Sequence, residues 1–243
     1  MKVIINGAAG RMGQELIKLC NEGFADANAV ALVDGFSPKF IKSLDDFIGE
    51  ADVLVDFSNH LATKSVCDYA VKRNLPVVIA TTGQTPEEIE IIKNASNQTA
   101  VFFSGNMSVG IAMLRKLVKS ALSAFPTADV EIVETHHDRK LDAPSGTALM
   151  LLKSVQEVRP DAYPVFGREG NSKRTPSEVG VHSLRYGNIV GRHEVIISTD
   201  AETLTLTHQA HSRAVFAEGA LTVASFMQGK PAGLYEMTDF LGA

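Results

Sequence analysis

Through the first hundred residues, short unbroken apolar runs alternate with longer stretches whose apolar positions recur every three or four residues. The runs are Val3–Ile5, Ala29–Val33, Val53–Asp56, Val77–Ala80 and Val101–Phe103. None shows the in–out alternation of a half-exposed strand, and this is the pattern of strands covered on both faces in a parallel sheet. Helices fit between them at Arg11–Asn21, Leu61–Arg73 and Pro86–Asn97. The third carries its own start signals, with Thr85 as N-cap, Pro86 at the first helical position and Glu87-Glu88 in the first turn. Between Asp34 and Ala51 there is room only for a loop and a brief helix over Leu44–Ile48. Repeated βαβ units of this kind predict an α/β fold with a Rossmann-like, doubly wound parallel sheet.

Beyond Asn106 the pattern changes. A long amphipathic helix is predicted from Val109 to Ala124, then a strand Val130–Glu134 and a helix Thr147–Val158 that ends before Pro160. The polar stretch Gly167–Glu178 reads as a long loop or arm. Three successive strand candidates follow, Val179–Tyr186, His193–Thr199 and Thr203–Gln209, which predict an antiparallel or mixed sheet in a smaller α+β domain. The helix Val215–Met227 returns to the character of the first half. The expected organisation is a discontinuous first domain, residues 1–107 completed by 217–243, with a second domain over 108–216.

Composition adds exclusions. A chain of 243 residues with 45% hydrophobic and 21% charged residues is an ordinary globular one with enough apolar matter for a core. Aromatic content of 7% without Trp disfavours stacking platforms for single strands, and a net charge of −5 without a basic stripe disfavours any nucleic-acid partner. No apolar run approaches the roughly twenty residues of a spanning helix, so no membrane partner is expected. Lys2–Asn6 leads straight into glycines, unlike a signal peptide. Cys20 and Cys67 lack a Cys-x-x-Cys partner and read as buried reduced thiols of a cytoplasmic protein.

Two segments carry candidate chemistry. Gly7-Ala8-Ala9-Gly10-Arg11-Met12-Gly13 follows a strand and opens a helix. Glycines there let the backbone approach a pyrophosphate, and the helix start supplies N–H donors. A plain tight turn would use the same glycines, and the spacing departs from G-x-G-x-x-G. Asp34 ends the second strand, where an acid binds the ribose hydroxyls of NAD and repels the extra phosphate of NADP. Gly35 offers no compensating cation, so NADH is the expected preference, although Arg11, Lys39 or Lys42 could reach such a phosphate. Ala80-Thr81-Thr82-Gly83 and Ser104-Gly105-Asn106-Met107 follow the fourth and fifth strands and should line the same crevice.

The second segment is Glu134-Thr-His-His-Asp-Arg-Lys-Leu-Asp-Ala-Pro-Ser-Gly-Thr-Ala148. It concentrates His136, His137, Arg139 and Lys140 in an otherwise acidic chain, which suits a dianionic substrate and proton movement near neutral pH. Ser145-Gly146-Thr147 reads as a helix start whose N–H groups grip a carboxylate. No metal is expected, since adjacent histidines on a strand point to opposite faces. His60 reads as a surface or capping residue; His182, His193, His208 and His211 lie near predicted strands of the second domain. Arg185 and Arg213 could help hold a carboxylate, but each reads first as an ordinary surface ion-pair partner.

This second segment resembles the signature of the 4-hydroxy-tetrahydrodipicolinate reductase (dihydrodipicolinate reductase) family of bacterial lysine biosynthesis. The resemblance runs along the whole chain, through Gly10–Gly13, Asp56-Phe57-Ser58, Thr81-Thr82-Gly83, Asn106–Gly110 and Ile189–His193. It implies a homotetramer paired through the second domain's sheet. It also implies NADH- or NADPH-dependent hydride transfer to a cyclic imine with two carboxylates in the diaminopimelate route. By position, His136 would donate or accept a proton and Lys140 would donate one. His137, Ser145, Gly146 and Thr147 would bind substrate. Gly7 to Met12, Asp34, Ala80 to Thr82 and Ser104 to Met107 would hold the cofactor. Ala80 stands where the family often has Gly, and Gly35 where some members carry Arg. A semialdehyde dehydrogenase would instead want a cysteine nucleophile, and neither cysteine is placed for one. A nucleotide sensor without catalysis would need an effector module that the chain has no segment left to supply.

Overall fold

In the structure, a computed structural model that describes residues 1–242, the chain divides into two compact units. Met1–Val109 with Arg213–Ala243 make the first and Gly110–Ser212 the second.

The first unit is built on a six-stranded parallel sheet. Its strands are β1 (Lys2–Asn6), β2 (Asn28–Val33), β3 (Val53–Asp56), β4 (Val77–Ile79), β5 (Ala100–Phe103) and β11 (Gly233–Tyr235), in the order β11-β5-β4-β3-β1-β2. The strand order reverses around β1, which makes the carboxyl ends of β1 and β3 the crevice of a doubly wound sheet. Their register sets Asn6 opposite Asp56. Helices α1 (Arg11–Asn21) and α6 (Ala214–Met227) pack together, while α2 (Thr63–Arg73) and α3 (Pro86–Ser96) form a second pair. The unbroken apolar runs have this cause: Val3–Ile5 and Val53–Val55 are fully buried. The first-half strands and helices and the Rossmann-like fold expected from the pattern are present, and α3 opens with the predicted Thr85 N-cap, which Glu88 completes into a capping box.

Three details differ. The helix expected from Leu61 begins instead with a separate tight turn, His60–Ala62, because the Asn59 side chain accepts the Leu61 N–H. The brief helix expected at Leu44–Ile48 is a single tight turn, Leu44–Asp46, whose chain turns extended at Phe47. The short strand β11 carried no sequence signal of its own and exists by pairing with β5.

The second unit holds α4 (to Ala124 from Val109), β6 (Asp129–His136), α5 (Gly146–Val158), β7 (Tyr163–Phe166), β8 (Glu178–Arg185), β9 (Gly191–Ser198) and β10 (Thr203–Ala210). Its mixed sheet runs β10-β9-β6-β8-β7, parallel from β6 to β7 and antiparallel from β6 to β10. One sheet face packs on α4 and α5 through Val130, Ile132, Val179, Val181, Val195, Leu151 and Leu122. Strand β7 was hidden in the sequence by its length and by Pro164; it lies at the sheet edge, where proline is tolerated. Strand β6 runs two residues past the predicted end, to His136, which decides the geometry of the chemistry-bearing segment. A four-residue helix α7 (Met237–Phe240) follows β11. Among the described residues, no helix is long and apolar enough to cross a membrane.

Candidate functional site

In the first unit, a cleft of about 480 Å³ opens beyond the carboxyl ends of β1, β2 and β3. Its walls include Gly7, Gly10 and Asp34 from the predicted set, together with Asn6, Ser58, Phe36 and Leu61. Gly7 has φ +84°, and a Cβ there would lie 2.4 Å from the Phe57 carbonyl oxygen; a Cβ on Gly13 would lie 2.2 Å from that of Gly7. Both glycines thus serve close packing of loop on strand and helix on loop. Helix α1 begins at Gly10 with no side-chain cap and no acid in its first turn, so its first N–H groups are open to an anion. Those features fit a dinucleotide, whose pyrophosphate needs this kind of cradle.

Asp34 sits at the lip of the cleft. Its Oδ2 accepts from the Ala9 N–H at 3.0 Å, and Oδ1 accepts from Phe36 N and Ser37 N at 3.0 and 3.1 Å. The acid thus ties the glycine loop to its own turn and retains oxygen capacity toward a ribose. Lys42 Nζ lies 3.3 Å from the Gly35 carbonyl. Ala8, Ala9, Arg11, Met12, Ala80–Thr82 and Ser104–Met107 are outside the cleft walls. Thr81 nonetheless connects to the cleft walls through an acid that the sequence named without a role. Asp56 is 1% exposed and accepts from Asn6 Nδ2, Ser58 Oγ and Thr81 Oγ1 at 2.7, 2.6 and 2.6 Å. Burial pushes its carboxyl up against those hydrogen bonds. The ends of β1, β3 and the loop after β4 are thereby tied at one point. Cys67 is buried and its thiol is pushed up to about 12, first by burial and then by Asp56, which makes it unreactive.

In the second unit, alternation along β6 carries Glu134 and His136 on the same face as Val130 and Ile132. The sheet register sets Ser183 and His193 on either side of Glu134, with Arg185 opposite His136. Glu134 is fully buried. Its Oε2 accepts from His136 Nδ1 at 2.5 Å and from Arg185 Nη1 at 2.9 Å; its Oε1 accepts from the Ser145 N–H at 3.0 Å and from Arg185 Nη2 at 2.7 Å. Burial opposes ionisation of this group. Hydrogen bonds from His136, Arg185, Ser183 and the Ser145 amide outweigh it and hold the carboxyl far below the usual carboxylate range.

Ser145 caps α5 through Ala148 N at 3.2 Å, and its Oγ lies 3.2 Å from His193 Nε2. The His193 ring meets His136 edge-on at 5.2 Å between centroids. Burial, aided by His136, pushes His193 down to about 3, so it is neutral. His137 is half-buried just past the strand and donates its N–H to the Ile189 carbonyl at 2.8 Å. Lys140 Nζ lies 2.8 Å from Asp142, with a fifth of the side chain exposed. Gly146 and Thr147 form the first turn of α5, as the helix-start pattern implied.

The second unit thus brings His136, Ser145 and the start of α5 together through Glu134. Arg185 departs from its first reading as a surface ion-pair partner and takes the alternative one: it holds a carboxylate, the buried Glu134, in a bidentate pair. Glu134 and His193 were named in the sequence without a role; for Glu134 the signal available was its i, i+2 spacing from His136, which puts both on one strand face. Ligand atoms of Glu134, His136 and His193 lie within 4.8 Å of one another. The Arg185 guanidinium occupies both carboxylate oxygens there and would meet a cation as a like charge. His60 Nδ1 lies 2.9 Å from Glu88, an ion-pairing partner for a residue read as surface or capping.

Comparison with known proteins adds family information. Residues 1–107 match the model for the N-terminal part of dihydrodipicolinate reductase, and residues 110–241 that for its C-terminal part. A 4-hydroxy-tetrahydrodipicolinate reductase of Caldanaerobacter subterraneus subsp. tengcongensis is 43% identical over 247 residues, covering 99% of this chain and 98% of that protein. One from Clostridium tetani is 39% identical and covers 100% and 98%. Among solved structures, dipicolinate-bound dihydrodipicolinate reductase from a Paenisporosarcina species has a TM-score of 0.77 at 23% identity, covering 99% of both chains. That likeness shows the same fold.

Proposed function

Because the chain belongs to the dihydrodipicolinate reductase family, we propose a division of labour in which the first unit holds the nicotinamide cofactor and the second holds and protonates the substrate. The reaction is reduction of 4-hydroxy-tetrahydrodipicolinate to tetrahydrodipicolinate, in the diaminopimelate route of lysine biosynthesis. It consumes one hydride and one proton and releases the hydroxyl as water. The cofactor supplies the hydride when bound.

Gly7–Met12 and Asp34 would hold the pyrophosphate and ribose, and Ala80–Thr82 with Ser104–Met107 the remainder of the dinucleotide. Asp34 beside Gly35, with the Lys42 amine turned to the Gly35 carbonyl, favours NADH over NADPH. In the second unit, the α5 start at Ser145–Thr147 and the His137 ring would bind the two carboxylates. His136 and Lys140 would supply protons as negative charge builds on the reduced ring. The observation that carries this assignment is the placement of the His136 ring on the ionised Glu134, whose other oxygen holds the N-cap of α5. The second sheet's face opposite its helices, with Glu131, Val133, His182 and Ile196, is the surface through which we expect copies to pair into a homotetramer. The reaction belongs to the cytoplasm.

The test is oxidation of NADH and of NADPH in the presence of substrate generated in situ by its upstream synthase. Turnover with either supports the reductase, and the ratio of the two decides the role of Asp34 and Gly35. Absence of turnover with NADH still bound would reject the substrate while leaving the nucleotide site.

A further inference from the structure

We infer that Glu134 is the positioning residue of the proton-transfer site, a single buried carboxylate that fixes both the His136 ring and the start of α5. This rests on the reading that His136 moves a proton. An ionised carboxylate only accepts hydrogen bonds and has about four lone-pair positions. Here His136 Nδ1, the Ser145 amide and both terminal nitrogens of Arg185 take up that capacity, and the Ser183 side chain adds to them. Nothing about the group is left adjustable.

The consequence for His136 is chemical. Since the partner cannot donate, Nδ1 carries the hydrogen in every charge state of the ring. Nε2 is therefore the working end, a bare lone pair in the neutral ring and a donor once the ring is protonated. The space beside Nε2 is kept by Gly191, where a Cβ would lie 3.1 Å from that atom. The consequence for α5 is geometric. Its N-cap residue is held by the backbone amide, while its hydroxyl serves Ala148 N and His193. The first turn of α5 is thus placed by the same carboxylate that sets the ring. Arg185 completes the device, since its own position is fixed by the Asp142 and Leu184 carbonyls at 2.6 and 2.8 Å. Neutral His193 adds no charge to this balance.

A Glu134 that served folding alone would leave kcat and the substrate KM of a folded variant unchanged. The first measurement is nitrogen NMR of the histidine rings in the full-length wild-type protein, with His136 assigned by its loss in His136→Gln. The neutral His136 ring is expected to carry its hydrogen on Nδ1; a hydrogen on Nε2 overturns the inference, and this readout does not depend on any variant folding. The second is Glu134→Gln, whose NH2 would replace one oxygen and face the two donors that oxygen now accepts. Its kcat is expected to fall roughly 100-fold, with a raised KM for the dicarboxylate and unchanged NADH affinity. Wild-type kcat and KM in Glu134→Gln, alongside an inactive His136→Gln, overturn the inference and leave the role of His136 standing. A fully active His136→Gln overturns that role itself, and the inference with it.

Discussion

Gly219, in the middle of α6, sets two effects of similar size against each other. Replacing it with Ala raises intrinsic helix stability by about 1 kcal/mol. The added Cβ would lie 1.8 Å from the carbonyl oxygen of Met107. Relief to ordinary contact requires the two to part by at least about 1.6 Å, and the obstacle is backbone, which cannot rotate aside. Met107 is 1% exposed and Ser108 fully buried, so the segment has no solvent side into which to retreat. Overpacking of this kind costs about 1–3 kcal/mol, and a displacement beyond an ångström in a closed site belongs at the upper end. The clash therefore wins, by about 2 kcal/mol, and Gly219→Ala should lower the first unit's Tm by roughly 4–8 °C. Calorimetry reads this directly. Because the displaced segment includes Ser104–Met107, NADH affinity measured by titration should fall as well. An unchanged or raised Tm would refute the reasoning, since it would mean that α6 does not approach Met107 closely enough to require glycine.

Three other outcomes can be checked. Lys140→Ala should cut turnover severely while NADH affinity stays near wild type; an equal loss of cofactor binding would remove Lys140 from the proton-donor role. Asp34→Ala releases the Ala9 amide and should weaken NADH more than NADPH, whereas an unchanged ratio takes Asp34 out of the ribose site. Stability should also fall on acidification from pH 7. Burial holds His193 at about 3, below its ordinary value near 6.5, so between those limits the unfolded chain binds a proton that the folded chain refuses. The loss reaches about 2 kcal/mol by pH 5. The depressed Glu134 adds its own loss only below about pH 4.5. Denaturation midpoints that stay flat from pH 7 to 5, or a fall undiminished in His193→Asn, would contradict this assignment.

Much of the fold was legible because its cause is local. A strand buried on both faces tolerates no polar residue, so Val3–Ile5 and Val53–Val55 announce themselves as unbroken runs, and α3 announces its start through Thr85, Pro86 and Glu88. The same holds for the helix start at Ser145 and the glycines of the first loop, whose conformational needs are written in residue type. Strands β7 and β11 were not legible, since both are short, half-exposed sheet edges without the unbroken apolar run that marks the equally short β3, β4 and β5. Nor was Glu134. A carboxylate in a motif can serve as surface charge, ligand or base, and the choice among these depends on which donors surround it. Those donors arrive from Arg185, 51 residues away, and from Ser145 at the head of a helix. Asp56 is the same case in the first unit, joined to Asn6 and Thr81 only by the register of β1, β3 and β4. Residue pattern decides what each segment is, because burial and backbone preference act within a few residues. Charge state and aim are decided by tertiary structure, because electrostatics and hydrogen bonds act between whichever groups folding brings within about 3 Å.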